Sequence, residues 1–505
     1  MKAPVRTTKR PLAQGWAKLL TLWTAASLAA CGSEEASTPE PTQGAALITL
    51  VAPTEAAGLD PFAAEHTLRL RRGVPGGGLE DIDVVLRDGA LRAEPYAGDQ
   101  PTRFVVEVQK AGASVARAET AVAVIREDEP DRAMPALLVP PRTLVAPVDA
   151  DGDALLPQVR PGASVTPLGD GRLWVAGGDV GSGGQPCAPA TPEAVVASGR
   201  AIDLLGLRAE PEVTLLAGRA YHAAVPLIGG RVALLGGYGG TAGGVGLLRG
   251  VEVVTPHEGK TEGASFELAR GRARAGVLQD GNVVVLVGGD EEAVGGPTAT
   301  IERFDLGFGT LATASLATPR RDPAVALVNE PGSERRLLFV LGGRDAAGNA
   351  VQQGEVLELK GETYWPLATV LAPTPSATDA AWLASETPFA AARFGGTQGQ
   401  TPLATALQWS PLTGQWGPAN ALASARSCMG LGAFDGEVWL VGGLGAGGVA
   451  DATVERYAPI PAAFSMASGR VGPKVLPGPG PHLLIAGGRD AAGQPAGLGL
   501  YWPAD

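Results

Sequence analysis

The sequence predicts an all-β protein built largely from one repeated unit, and three observations carry that prediction. Glycine numbers 72 in 505 residues, about twice its usual share. The glycines come in pairs and tight clusters without a collagen period, which implies many turns and hence many short strands. Hydrophobic residues supply 45% of the chain, enough for a buried interior. From residue 150 onward an apolar segment runs seven times into a Gly-Gly pair, whose first members are Gly177, Gly236, Gly288, Gly342, Gly395, Gly442 and Gly487, spaced by 45 to 59 residues.

Each unit keeps one order: an arginine, a strand, a tight turn, a second strand, Gly-Gly, a variable loop, a third strand, then a loop and a fourth strand. The first turn is Asp170-Gly171, Gly229-Gly230, Asp280-Gly281 or Asp435-Gly436 in four units, dipeptides that allow the positive φ angles of two-residue hairpins. The strand after it (RLWVA, RVALL, NVVVLV, EVWLV) is nearly all apolar, as a strand covered on both faces should be. Four short strands at a period of about 50 residues make one propeller blade. Residues 150–505 are therefore expected to form a β-propeller of seven blades, six being the alternative count. The last unit ends at about Trp502 without room for a fourth strand, and Ala154–Val159 is the expected closing strand.

The third strands contain VEVV (251–254), IERF (301–304), ALQW (406–409) and VERY (454–457). With the Gly-Gly pairs, and with Trp409 and Trp416 seven residues apart, they give residues 150–505 a resemblance to the kelch family. Most units depart from that family's aromatic pair: Val254, Phe304 and Leu357 stand where Tyr457 does. The resemblance implies a propeller whose loops recognise a ligand.

Ahead of the repeat, residues 45–128 contain ALITLVAP, HTLRLRR, DIDVVLRD, TRFVVEVQ and ETAVAVI. Several of these segments alternate apolar and polar residues, and most are separated by Gly, Pro or Asp. They predict a small β-sandwich of immunoglobulin-like or fibronectin-like length, although no Cys, Trp, Cys framework is present. Residues 129–149, charged and then proline-rich, are expected to form a linker.

The first thirty residues combine a basic start, an apolar stretch from about Trp16 and a small-residue end, the pattern of an export signal too short to span a bilayer. Leu28-Ala29-Ala30-Cys31 resembles the bacterial lipobox, which implies a diacylglycerol on Cys31 as the first mature residue. Residues 31–44 then read as a flexible tether. Gly32, in place of the aspartate that favours inner-membrane retention, points to an outer-membrane lipoprotein, periplasmic or surface-exposed.

The formal charge is -12, and Lys2, Arg6, Lys9, Arg10 and Lys18 all lie in the leader, so the mature chain is more acidic still. That balance excludes nucleic acid and anionic membrane surfaces as natural partners. Of the three cysteines, Cys187 and Cys428 lie 241 residues apart, and the sequence leaves open whether they pair.

Arg160, Arg219, Arg272, Arg320, Arg426 and Arg470 recur ahead of the Gly-Gly pairs. Their regular repetition favours structural pairing with the recurrent Glu252, Glu302 and Glu455. The alternative makes them the binding residues of one rim, which could hold an anionic ligand. No Walker A or GxSxG element occurs, and only four histidines are present, too few to favour the Tyr/His copper site of galactose-oxidase-like propellers. Asp149, Asp151 and Asp153 start like a calcium loop but lack its glutamate at the twelfth position. No metal or cofactor is expected. The functional expectation is a non-enzymatic, monomeric envelope lipoprotein that binds a protein or glycan. The alternative is a secreted carbohydrate-active propeller enzyme, a lyase or an oxidase.

Overall fold

The computed structural model describes residues 44–504 apart from 97–98, 127, 170, 182–186, 188–189, 242–243, 331–332, 386–390 and 411–412. The leader, Cys31 and the tether lie outside the described residues. The described chain is all-β, with short 3₁₀ turns as its helical segments.

Eight strands come first: β1 (Ala46–Val51), β2 (His66–Gly73), β3 (Leu79–Ile82), β4 (Val85–Arg87), β5 (Ala90–Ala93), β6 (Arg103–Lys110), β7 (Ala113–Glu119) and β8 (Arg132–Leu137). They form two four-stranded sheets in the orders β4-β5-β1-β8 and β3-β2-β6-β7. Alternate residues of β6 (Phe104, Val106, Val108) meet Ile48, Leu91 and Ala136 of the other sheet in one apolar cluster, the period-2 burial that a one-faced sheet requires. The expected strand at ETAVAVI is displaced. β7 ends at Glu119, and of that run Ala123 and Ile125 enter the core as irregular backbone.

Residues 129–149 are not a spacer. β8 runs parallel to β1 over six residue pairs, and β9 (Leu144–Val145) joins the far end of the chain. Leu137 and Val139 share a cluster with Val145, Leu484 and Leu500, so the apolar residues between the prolines are consumed by packing on both sides.

From Ser164 to Tyr501 seven larger antiparallel sheets, of four or five strands, follow one another among the described residues, with three smaller sheets of two or three strands between them. Their first strands are Ser164–Gly169, Ala223–Leu227, Gly276–Asp280, Ala324–Asn329, Ala381–Ala384, Gly430–Phe434 and Lys474–Pro477. Most successive inner strands touch one another. Gln279 Nε2 donating to Pro226 O at 2.9 Å bridges the second to the third, and Lys474 Nζ donating to Ala163 O at 2.9 Å joins the seventh to the first. The second strands, such as Val283–Val287 and Leu483–Ala486, are almost wholly buried.

The last sheet is closed by β9, which pairs antiparallel with Leu498–Tyr501. This corrects the expectation that residues 154–159 close the ring. That segment donates or accepts isolated backbone bonds instead, as in Val159 N to Ala496 O at 2.8 Å. Arg142 N donates to Trp502 O at 2.8 Å just ahead of β9. Segments from either side of the repeated sheets therefore meet in one sheet, which leaves fewer unpaired edges.

Candidate functional site

The repeated arginines turn inward rather than onto a rim. Arg219, Arg272, Arg320 and Arg426 are at most 2% exposed. Each faces a glutamate of its own unit, namely Glu252, Glu302, Glu355 and Glu455. Each also donates to the carbonyl of its unit's first paired glycine, as in Arg320 Nη1 to Gly342 O at 3.1 Å. The glutamate in turn accepts backbone N–H groups from the chain ahead of the arginine. Leu216 N and Ala217 N, for example, both donate to Glu252 at 3.0 Å. Burial favours the neutral form of these guanidiniums and lowers their pKa values, while the facing carboxylates oppose that shift.

The exceptions follow the same logic. In the first unit the position of the glutamate is occupied by Arg200, opposite Val175, and Arg160, left without that acceptor, is exposed. In the seventh the equivalent is Gly499, opposite Ile485. Arg470 there binds the carbonyls of Ile485 and Gly497 at 3.1 and 2.8 Å, and its pKa is pulled down to about 10 by burial. The rim expectation thus fails for the buried arginines, because a guanidinium beside a Gly-Gly turn satisfies more backbone groups inside than outside.

The main chain of the same arginines explains the glycines. Gly178, Gly237, Gly289, Gly396 and Gly443 each donate their N–H to the carbonyl of the next unit's arginine, at 2.7 to 3.0 Å. At Gly442, φ is 63° and a Cβ would collide with the Arg470 carbonyl oxygen, so only glycine fits.

Two residues beyond each arginine position the chain enters the left-handed region: Gly162, Tyr221, Arg274, Asp322, Asp379, Cys428 and Gly472, with φ between 52° and 70°. These residues hand hydrogen bonds around the mouth of the inner circuit. Tyr221 N donates to Gly162 O, Arg274 N to Tyr221 O, Asp322 N to Arg274 O, Cys428 N to Asp379 O, and Gly472 N to Cys428 O, at 2.7 to 3.0 Å. A bulky side chain with φ above zero is uncommon, and such residues cluster where function constrains the backbone. The ring positions differ in side chain from unit to unit.

Its chemistry is polar and paired. Arg274 Nε donates to Asp322 Oδ2 at 2.9 Å, and the guanidinium lies 5.6 Å from the Tyr221 ring centre. Tyr221 meets Tyr238 edge to face at 6.3 Å. The Tyr238 hydroxyl donates to Asp290 Oδ2 at 2.7 Å, and Arg321 reaches the other oxygen of Asp290 at 3.5 Å. Arg344 pairs with Asp379 and donates to the carbonyl of Cys187 at 3.3 Å. Burial pushes the Tyr221 phenol up to about 12; its hydroxyl is buried without a hydrogen-bond partner among the described residues. Burial, and then Asp290, raise Tyr238.

Cys187 and Cys428 form a disulfide with a Cα–Cα distance of 5.5 Å, within the usual bridging range. It ties the loop of the first unit to the ring position of the sixth. A cavity of about 350 Å³ beside it is lined by Arg344, Asp379, Thr397, Gln400, Cys428 and Leu444. The two sulfurs lie with an Asp379 oxygen in one cluster, but sulfurs joined to each other offer no thiolate to a metal. His222 lies between units, with Nε2 2.9 Å from Ser164 Oγ, and the Asp149 carboxylate caps its own turn by accepting from Asp151 N and Asp153 N at 3.0 Å.

Sequence reasoning missed the ring. Its signal was an offset two residues beyond a repeating arginine where the residue type changes from unit to unit.

The fold and site together define an all-β protein of repeated four-stranded sheets with a polar mouth. No family model matches the chain, and no curated protein matches it. Among solved structures it is similar to one titled "Structure of YjhT", at 13% identity with a TM-score of 0.43, over 62% of this chain and all of that one.

Proposed function

We propose that the chain is a seven-bladed, kelch-like propeller behind a small β-sandwich, held at the outer membrane by lipid on Cys31, and that the mouth ring binds a neutral glycan without converting it. The observation that carries this reading is the ring itself. Its units repeat in backbone and diverge in side chain, as a recognition surface on a fixed scaffold does.

A sugar presents hydroxyls for paired Asp and Arg groups and apolar faces for aromatic rings. Arg274, Arg321 and Arg344 each face an aspartate, so the ring is balanced in charge and favours an uncharged polar ligand. An aspartate held by a guanidinium is a weak general base, which supports binding over catalysis.

The test is a glycan array and an envelope pulldown with the Cys31→Ser chain, beside an Arg274→Ala variant. Glycan binding lost in that variant supports the reading. Protein capture with no glycan signal favours a protein ligand, and product formation from a bound glycan would establish an enzyme. Cys31→Ser should also move the protein from the membrane to the soluble fraction.

A further inference from the structure

The Cys187–Cys428 bridge stands beside a third ligand-bearing side chain. Its two sulfurs and a carboxylate oxygen of Asp379 all lie within 4.8 Å of one another. All three residues are half-buried, and all three line the cavity of about 350 Å³ beside the bridge.

We propose that this cluster is a redox-gated metal site: closed while the sulfurs are joined, and open, once the bridge is reduced, to one thiophilic divalent cation of the zinc class held by Cys187, Cys428 and Asp379. A dithiol reductant balances the opening step. It gives two electrons and two protons to the S–S bond, leaves two thiols and becomes a disulfide itself. Metal binding then releases the two thiol protons.

The three groups are brought together by more than the bridge. Cys428 N donates to Asp379 O at 2.9 Å, and both residues keep a left-handed backbone with φ 54°, so the ring sets two of the ligands in either state of the sulfurs. Arg344 fixes the third, because its Nη2 pairs with Asp379 and also donates to the Cys187 carbonyl at 3.3 Å. A guanidinium beside a thiol favours the thiolate. Asp379 meets Arg344 through Oδ1, and a carboxylate has a second oxygen to give.

The charge fits as well. Two thiolates and a carboxylate against one guanidinium leave two negative charges in excess, the charge of one divalent cation. Zinc accepts three protein ligands with a fourth position open, and thiolates select it over the oxygen-seeking calcium and magnesium. The cavity gives that fourth position room for water.

The experiment uses the full Cys31→Ser chain, whose remaining thiols are Cys187 and Cys428, reduced with a phosphine, desalted without oxygen and titrated with Co²⁺ as a spectroscopic substitute for zinc. One Co²⁺ per chain should bind with thiolate-to-cobalt absorption, zinc should displace it, and the oxidised chain should show no such band. A reduced chain without the band, an oxidised chain with it, or one ion shared by two chains would overturn the proposal. Asp379→Asn, its folding verified by a melt of the oxidised form, should weaken Co²⁺ by at least about tenfold, the loss that removing even an indirect partner of a bound metal causes. Unchanged affinity there would remove the carboxylate from the site. Neither result depends on what the mouth ring binds.

Discussion

Arg426 donates from Nη2 to Oε2 of Glu455 at 2.6 Å, both side chains buried between the strands of one sheet. In the fifth unit Leu407, opposite Arg393, stands where four of the other units place the glutamate, and Ala377 is buried ahead of the inner strand. There a guanidinium enters from the second strand instead, with Arg393 donating to Pro375 O. The pair is thus replaceable as a pair.

Removing one partner should be worse than removing both. Glu455→Leu should lower stability by about 3–5 kcal/mol, since it leaves a buried guanidinium uncompensated. The double variant Arg426→Leu/Glu455→Leu should recover part of that loss. Thermal melts of the two singles and the double measure the coupling; additive losses would contradict it.

Gly442→Ala should be severe and Gly447→Ala mild, although both glycines have positive φ. A Cβ at Gly447 meets open space, while at Gly442 it meets the Arg470 carbonyl. Gly447→Ala costs about 1–2 kcal/mol of backbone strain, and Gly442→Ala adds a displaced unit boundary, read as a larger drop in Tm.

The Cys187–Cys428 bridge joins segments 241 residues apart. Cys187→Ser and Cys428→Ser should each lower stability by about 2–4 kcal/mol, and the double variant should fall no further. Wild-type protein melted with reductant should match them.

Acid sensitivity should centre on the buried histidines. His482 is 4% exposed, and burial pulls its pKa to about 4. The unfolded chain takes that proton first. Stability is therefore intact above about pH 6.5 and falls as pH drops towards 4, with a slope of up to about 1.4 kcal/mol per unit for one group. His482→Gln should flatten the Tm profile over this interval relative to wild type.

Tyr221→Phe should leave folding intact. Its hydroxyl is buried without a partner among the described residues, so deleting it should leave Tm unchanged or raise it slightly. Shielded from solvent, that hydroxyl does not reach a ligand at the mouth, so glycan affinity, measured by titration calorimetry on an array hit, should be unchanged.

What was legible in the sequence follows from what repeats locally. Gly-Gly pairs, Asp-Gly turns and apolar second strands recur because each unit solves the same packing problem, and Asp435-Gly436 does adopt two positive φ angles in its hairpin. The candidate site was legible only as a frame. Arg219 and its equivalents were visible, and their even repetition with Glu252, Glu302 and Glu455 favoured pairing over a binding rim, but which glutamate faces which arginine needed the tertiary structure.

The sequence by itself determined the all-β class, the repeat and its period, because turn chemistry and strand patterning act over a few residues. Tertiary structure alone decided that Leu144–Val145 rather than residues 154–159 completes the last sheet. It likewise decided that Cys187 reaches Cys428, and that Tyr221, Arg274, Asp322 and Asp379 share one mouth. Those choices depend on which distant segments meet when the circuit closes, and burial at those meetings turned the arginines inward and left the residues two positions beyond them to form the mouth.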